Sequence, residues 1–432
     1  MRFLNTIKVL LILSITAVSL HVQAQFAKGA DVSWVTQQEN SGYKWYNNSG
    51  VQQDLFTILK GKGMNTIRLR VWLDPWEGWC GKQDVIAKAV RAKNAGFRIM
   101  IDFHYSDYWA DPGQQAKPAA WSDYSFTQLT TAVYNHTVDV LTALKSNGVT
   151  VEWVQVGNET NDGLLWEDGR ASSNMRNYAY LINAGYDGTK AVFPSAKVIV
   201  HVSNGWDNGL FRWNFDGLKN NGAKWDVIGM SLYPTRSNWQ SLNSQCLANM
   251  KDMVARYGKQ VMVVEVGMEA RLALDCKNFL IDLMNKTASI PNGNGLGVLY
   301  WEPQTYGRWQ GYTKGAFDDK GRPTIALDAF SSVAIASAAR SATDPSAQTS
   351  EKQSFRIESF PNPVTSELTL RLPPELANGA DVRIYDYSGK AVIEKNVRGY
   401  AHRIDVSAIH NGLYIVKVNN GQRQATGKFM KE

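Results

Sequence analysis

Glu159 and Glu265 are the two acidic residues whose setting calls for an explanation. Each closes an apolar run: Val154-Gln155-Val156-Gly157-Asn158-Glu159 and Val261-Met262-Val263-Val264-Glu265. A carboxylate at the end of a buried strand costs free energy unless a partner or a task accompanies it. Two carboxyl groups facing one cleft could cleave a glycosidic bond. One protonates the leaving oxygen; the other attacks the anomeric carbon or activates water. A structural glutamate paired with an arginine accounts for either residue alone. For both together, on the fourth and seventh runs, it is the weaker account.

The elements that would position them follow from the pattern of the chain. Apolar runs fall at Gly29–Trp34, Thr66–Trp72, Arg98–His104, Glu152–Asn158, Lys197–Val202, Val227–Tyr233, Gln260–Glu265 and Gly297–Trp301. Helix-like stretches such as Val85–Asn94, Phe126–Ser146 and Ser173–Val192 separate them. This alternation predicts an α/β architecture, a (β/α)8 TIM barrel over residues 25–340. An open doubly wound sheet is the alternative. It would usually show a Gly-rich phosphate turn after its first strand, where this sequence reads Asp31-Val32-Ser33-Trp34. In a barrel the chemistry sits at the C-terminal ends of the strands. Polar and aromatic residues gather at those ends: Asp31 and Trp34; Arg68, Arg70 and Trp72; Asp102 and His104; Asn158 and Glu159; His201 and Asn204; Ser231 and Tyr233; Glu265; Trp301 and Glu302.

Bulk composition sets the frame. A chain of 432 residues suggests more than one domain, and 44% hydrophobic with 20% charged residues is a globular profile. The 15 tryptophans are as consistent with a large core as with a site for flat apolar ligand faces. The net charge of +7 is spread without long basic runs, which disfavours a nucleic-acid partner. Residues 1–24 read as a secretory signal: Arg2 and Lys8, an apolar stretch from Val9 to Leu20, then the small-residue pattern Val22-Gln23-Ala24. No later segment is long and apolar enough to span a membrane. Of Cys80, Cys246 and Cys276, the last two follow neighbouring predicted strands and are the favoured disulfide pair. His104, His136 and His201 lack metal-ligand spacing, and no cofactor is expected. A polar linker is predicted over 341–354. Residues 355–432 then alternate over Leu368–Leu372, Asp381–Asp386, His402–Val406 and Gly412–Val418, between turn signals Asn378-Gly379, Ser388-Gly389, Asn411-Gly412 and Asn420-Gly421. That is the pattern of a small all-β, Ig-like sandwich.

Longer strings carry a resemblance. Gly29-Ala30-Asp31-Val32-Ser33-Trp34-Val35, Ile67-Arg68-Leu69-Arg70-Val71-Trp72, Asp102-Phe103-His104-Tyr105-Ser106-Asp107-Tyr108-Trp109-Ala110-Asp111-Pro112-Gly113, Asn204-Gly205-Trp206-Asp207-Asn208 and Leu299-Tyr300-Trp301-Glu302-Pro303 fall in one order. Over residues 26–330 the chain resembles glycoside hydrolase family 53, the endo-β-1,4-galactanases. The resemblance implies a retaining double displacement on the galactan side chains of pectin, with Glu265 as nucleophile and Glu159 as acid/base. Retention implies carboxyls roughly 5–5.5 Å apart. By the same resemblance Asn158 would bind the 2-hydroxyl of the attacked sugar, and Trp301 would floor the cleaving subsite. Arg70, Arg68 and Tyr233 are candidates to hold Glu265 as the anion. His104, Asp102, Trp109 and Trp206 would line the groove. The chain departs from some bacterial members after the seventh strand. There Val266-Gly267-Met268-Glu269-Ala270-Arg271-Leu272-Ala273-Leu274-Asp275-Cys276 lacks the closely spaced oxygen ligands of a calcium loop, so no metal is expected in it.

The C-terminal segment resembles a type IX secretion sorting domain of type A, through Phe360-Pro361-Asn362-Pro363, Val382-Arg383-Ile384-Tyr385-Asp386 with Ser388-Gly389-Lys390, Gly412-Leu413-Tyr414-Ile415-Val416-Lys417-Val418 and the terminal Lys428-Phe429-Met430-Lys431-Glu432. This implies use of the secretion machinery during export and a place outside the cell or on its surface; separately, a monomer is expected. A carbohydrate-binding module is the competing reading, weakened by the lack of tryptophan in 355–432. Two functional alternatives stay open: the same mechanism on mannan or xylan, and a non-catalytic polysaccharide-binding protein on the same fold.

Overall fold

The computed structural model describes residues 25–334, 355–372, 376–386, 390–421 and 424–432. The chain divides into two compact units, with the boundary between residues 339 and 340. The expected signal peptide and linker lie outside the described residues.

The first unit is a closed barrel of eight parallel strands: β1 (Ala27–Asp31), β2 (Thr66–Val71), β3 (Arg98–Phe103), β4 (Val151–Val156), β5 (Lys197–Val202), β6 (Val227–Leu232), β7 (Gln260–Val266) and β8 (Gly295–Trp301). Helices α1 (Val35–Asn40), α2 (Leu55–Gly61), α3 (Lys82–Asn94), α4 (Phe126–Ser146), α5 (Ala171–Val192), α6 (Asn208–Asn220), α7 (Trp239–Tyr257), α8 (Ala273–Ala288) and α9 (Asp328–Ser332) accompany the strands. Both strand faces are buried, which is why the strands read as near-continuous apolar runs. Ser125 starts α4 with a reciprocal capping box to Gln128, and the helix covers the predicted span. Gly29 and Gly297 let β1 close the barrel: an added Cβ would lie 2.3 Å from the Thr66 carbonyl oxygen or 2.4 Å from that of Ala27.

The two strand faces do different work. Ile67, Leu69, Val71, Val154, Val156, Val198 and Val200 face the helices. Inside the barrel, Ala27, Met100, Trp153, Ile199, Val227, Met262, Val264 and Leu299 make a separate apolar cluster. Nearer the C-terminal ends the inward positions turn polar, with Arg68, Asp102, Gln155, His201 and Ser231 all buried. The apolar plug therefore supports a polar layer, and the layer faces the mouth.

The three cysteines correct one expectation. All are buried and free, and no Cys246–Cys276 bridge exists. Cys246 points from α7 toward Gly205, where an added Cβ would lie 3.2 Å from its sulfur. Cys276, on α8, lies 3.6 Å from the Tyr300 hydroxyl. Neighbouring strands put the following helices side by side, but these two side chains turn inward to different strands. Burial pushes both thiols up to about 12, which makes them inert. A thiol reagent is expected to find three groups only after denaturation, and reductant to leave Tm unchanged. Loss of a real disulfide would instead cost about 2–5 kcal/mol.

The second unit has two antiparallel layers. One sheet orders β10 (Glu358–Phe360), β11 (Glu367–Arg371) and β14 (Ala401–Asp405). The other orders β13 (Ala391–Val397), β12 (Ala380–Tyr385), β15 (Gly412–Asn419), β16 (Gln424–Lys431) and β9 (Phe355–Arg356), the last pair parallel. Leu368, Leu370, Val382, Ile384, Ile404, Val416, Val418 and Phe429 fill the core. The four predicted strands are present within a residue of their expected spans; β9, β10, β13 and β16 are additional. No described helix is long and apolar enough to cross a membrane.

Candidate active site

Arg68 organises the mouth. Its guanidinium reaches Asp31 at 2.7 Å, Asp102 at 2.9 Å and Glu265 at 2.8 Å, and is itself only 1% exposed. It also donates to Gln155 Oε1 at 3.1 Å and to Asn158 Oδ1 at 3.0 Å. Burial works against its charge, but the carboxylates of Asp102, Glu265 and Asp31 together raise its pKa and keep it cationic.

Glu265 owes its position to a fault in the strand. Val261 and Val263 face the helices, and Met262 and Val264 face the barrel interior. Strict alternation would turn residue 265 outward. Instead the register slips on both flanks: Met230 pairs with Val263 but Ser231 with Glu265, and Val263 pairs with Val298 but Val266 with Tyr300. This bulge gives two successive inward positions, so Glu265 enters the mouth and Val266 returns to the helix side. There Tyr233 donates to Glu265 Oε2 at 3.0 Å, opposite the Arg68 contact.

Glu159 is held differently. It follows β4 in the left-handed region, with φ 44°, after Gly157 at φ 80°. Tyr105, Asn204 and Glu302 adopt the same conformation beyond β3, β5 and β8. Such residues persist only where surrounding contacts enforce them. Ser231 donates to Glu159 Oε1 at 2.6 Å, and His201 Nε2 lies 2.7 Å from the Ser231 oxygen. The Glu159 backbone N–H and the Gln155 amide both point at His201 Nδ1, at 3.3 and 3.1 Å, so Nδ1 accepts and Nε2 carries the hydrogen. Burial, reinforced by Arg68, drives the His201 pKa well down and keeps the ring neutral.

The two carboxyls therefore differ in electrostatics. Burial, then the neighbouring Glu265 charge, lifts Glu159 to about 8, against the Ser231 hydrogen bond and Arg68. Burial also raises Glu265, but Arg68 and the Tyr233 hydroxyl oppose it directly. A shared proton belongs on Glu159, which lacks a direct cation contact.

Several predicted residues sit elsewhere than expected. Arg70 does not hold Glu265. It meets Glu302 at 2.6 Å and lies among the rings of Trp34, Trp72 and Trp109, at 5.1, 5.1 and 4.4 Å. Its Nε and Nη2 have no hydrogen-bond partner, so the ring faces are what its charge meets. Burial lifts Glu302 to about 7 despite Arg70. Asp102 does not line the groove: it is fully buried, between Arg68, the Gln155 amide at 2.6 Å and His104 Nε2 at 3.0 Å. His104, 3% exposed, is a support as well. It accepts at Nδ1 from Trp72 and the Ala110 N–H, both at 3.2 Å, which fixes Nε2–H on Asp102. Asn158 is nearly buried and donates to the Ala110 carbonyl at 2.9 Å. Trp301 and Trp109 are half-buried, 5.8 Å apart, in a cluster with Trp34; Trp206 stands after β5, 38% exposed. Gln155 and Tyr312 escaped the sequence reading. Tyr312 donates to the Trp301 carbonyl at 3.0 Å. Gln155 was legible as a polar residue between two valines at an inward position of β4.

Comparison with known proteins bears on this geometry. Residues 27–330 match the model of glycosyl hydrolase family 53. The chain belongs to that family. It is therefore a glycoside hydrolase, and the family 53 region covers all eight barrel strands and ends within α9. An arabinogalactan endo-β-1,4-galactanase of Thermothelomyces thermophilus is 34% identical over 297 residues, covering 64% of this chain and 89% of the relative. Among solved structures, one reported with two fungal β-1,4-galactanases is 31% identical with a TM-score of 0.66, covering 72% of this chain and all of the other. The family 53 catalytic domain of Ignisphaera aggregans is 30% identical with a TM-score of 0.64, covering 72% and 97%. Residues 358–432 match a secretion system C-terminal sorting domain, which marks the chain for the cell exterior or surface.

Proposed function

We propose that this family 53 hydrolase is a retaining endo-β-1,4-galactanase with Glu265 as nucleophile and Glu159 as acid/base. The observation that carries the assignment is the unequal pairing of the two carboxyls: Glu265 meets a cation and a phenol, Glu159 only a hydroxyl. In the first step a Glu265 oxygen bonds the anomeric carbon as the glycosidic C–O bond breaks, and the Glu159 proton goes to the leaving oxygen. In the second, Glu159 takes a proton from water, whose oxygen displaces Glu265 with a second inversion. Asn158 would meet the sugar 2-hydroxyl, and Trp301 and Trp109 would floor the cleaving subsite. Arg68 and Tyr233 keep the nucleophile ionised; Ser231 and His201 orient the acid. The substrate assignment rests on the galactanase relatives, and the pectic source and monomeric state belong to this reading. Export through type IX machinery follows from the sorting domain.

The test is hydrolysis by the mature chain of linear β-1,4-galactan beside mannan and xylan. Oligosaccharides from galactan alone, first released as the β-anomer, are expected. The alkaline limb of kcat/KM should fall with an apparent pKa of about 8, where Glu159 loses its proton. Cleavage of mannan or xylan instead would overturn the substrate. Silence on all three would favour the non-catalytic reading.

A further inference from the structure

Trp76 is 88% exposed, more than any other large apolar side chain among the described residues. Single exposed apolar side chains are ordinary; this indole stands out because the loop that carries it is well fixed and follows a strand of the active site. The loop runs from Trp72 to Cys80, and its neck is closed by the Trp72 N–H on the Cys80 carbonyl at 2.9 Å. Leu73 N–H donates to the Ser106 carbonyl at 2.8 Å, and Asp74 N–H to Asp107 Oδ1 at 3.0 Å. The other Asp107 oxygen accepts from Ala119 N–H at 2.8 Å. After Trp76 the chain reverses through Glu77 and Gly78, both left-handed at φ 60° and 79°. Trp79 braces this turn with a 3.1 Å hydrogen bond to Glu77. The backbone thus holds Trp76 out from the body.

Its location says what it meets. The loop follows β2, the strand of Arg68 and Arg70, at the end of the barrel where both glutamates sit. Its first residue, Trp72, belongs to the aromatic cluster, 5.1 Å from Trp109. The adjoining β3–α4 loop, tied to it by the Ser106 and Asp107 contacts, displays Tyr108 at 49% exposure. Trp206 stands after β5, at the same end of the barrel. A linear polymer lying over the glutamates between these loops would reach exposed aromatic rings beyond the cleaving subsite.

We propose that Trp76, with Tyr108 on the adjoining loop, forms a remote subsite that stacks on a galactopyranose ring of the same substrate chain, away from the cleaved bond. This rests on the galactan reading above. The axial 4-hydroxyl of galactose leaves the C–H groups of C3, C4 and C5 on one face, an apolar patch that suits an indole or phenol ring.

The experiment compares wild type, Trp76→Ala, Trp76→Phe and Tyr108→Ala on long β-1,4-galactan and on β-1,4-galactotriose. In Trp76→Ala the ratio of kcat/KM on polymer to that on trisaccharide should fall roughly two- to tenfold, the scale of one aromatic stacking contact. The loss should appear in KM for the polymer, Trp76→Phe should recover most of it, and Tyr108→Ala should move the ratio the same way. An unchanged ratio in Trp76→Ala, or an equal loss on both substrates, would overturn the subsite. Wild-type cleavage of galactan reads the substrate assignment separately. If the wild type cut another glycan, the galactose-specific part would fall and the same comparison on that polymer would decide the subsite.

Discussion

Glu265→Ala is expected to lower kcat on galactan on the order of 10⁴- to 10⁶-fold, as for other nucleophiles that act within a catalytic unit. No neighbour can take over: Asp31 and Asp102 are fully buried and engaged with Arg68. Glu159→Ala should cost less, about 10²- to 10⁴-fold, because it removes proton transfer but leaves the attacking carboxylate. Azide separates the roles. In Glu265→Ala it should enter the vacated side and give an α-galactobiosyl azide from an aryl β-galactobioside, with the phenol as leaving group. In Glu159→Ala it should intercept the glycosyl-enzyme and give the β-azide. Anomeric configuration read by NMR checks both, and the reverse pattern would exchange the two assignments.

Arg68→Met is expected to destabilise the barrel by about 3–5 kcal/mol, the usual cost of leaving buried charge unpaired. Here one guanidinium serves Asp31, Asp102 and Glu265, so its loss strands three carboxylates at once. Arg68 lowers the Glu265 pKa against burial, and without it burial and the charges of Asp102 and Asp31 are opposed only by the Tyr233 hydrogen bond. A carboxyl raised in the folded state penalises folding above its unfolded pKa, and the penalty fades as pH falls toward that value. The Tm gap between wild type and variant should therefore be largest near neutrality and shrink toward ~pH 4.5, near the ordinary glutamate range. A gap that stays constant with pH would assign the loss to packing instead. Arg68→Lys keeps a charge but only a point donor, so it should recover part of the stability and little activity.

The barrel was legible because each strand is buried on both faces, which leaves apolar runs that alternation with helices then orders. Lys197–Val202 and Phe126–Ser146 match their predicted spans for this reason. Five strand ends were read one to three residues long, as at Trp72 and His104, because the chain continues toward the mouth past the last ladder hydrogen bond. Partners were less legible than positions. Arg68 and Arg70 both point inward two residues apart on β2, and nothing local tells which carboxylate each will meet. Asp102 looked like a groove residue because strand-end position says nothing about depth. In the second unit, β13 escaped notice because it is an edge strand whose Glu394-Lys395-Asn396 segment is exposed, so no apolar alternation marks it.

The slip at Val264 and Glu265 has an evolutionary corollary. Residues downstream of it are in phase with the helix layer only because one extra residue is accommodated. Straightening β7 at its present length would leave the composition of the strand intact and still point the carboxylate at the helices, whereas deleting one valine would remove the need for the slip and keep it inward. In this architecture the direction of a reactive group is set by strand length and bulge together, and it can be lost with no change in the reactive residue itself. Relatives aligned without a gap here could keep the glutamate letter and lack the chemistry.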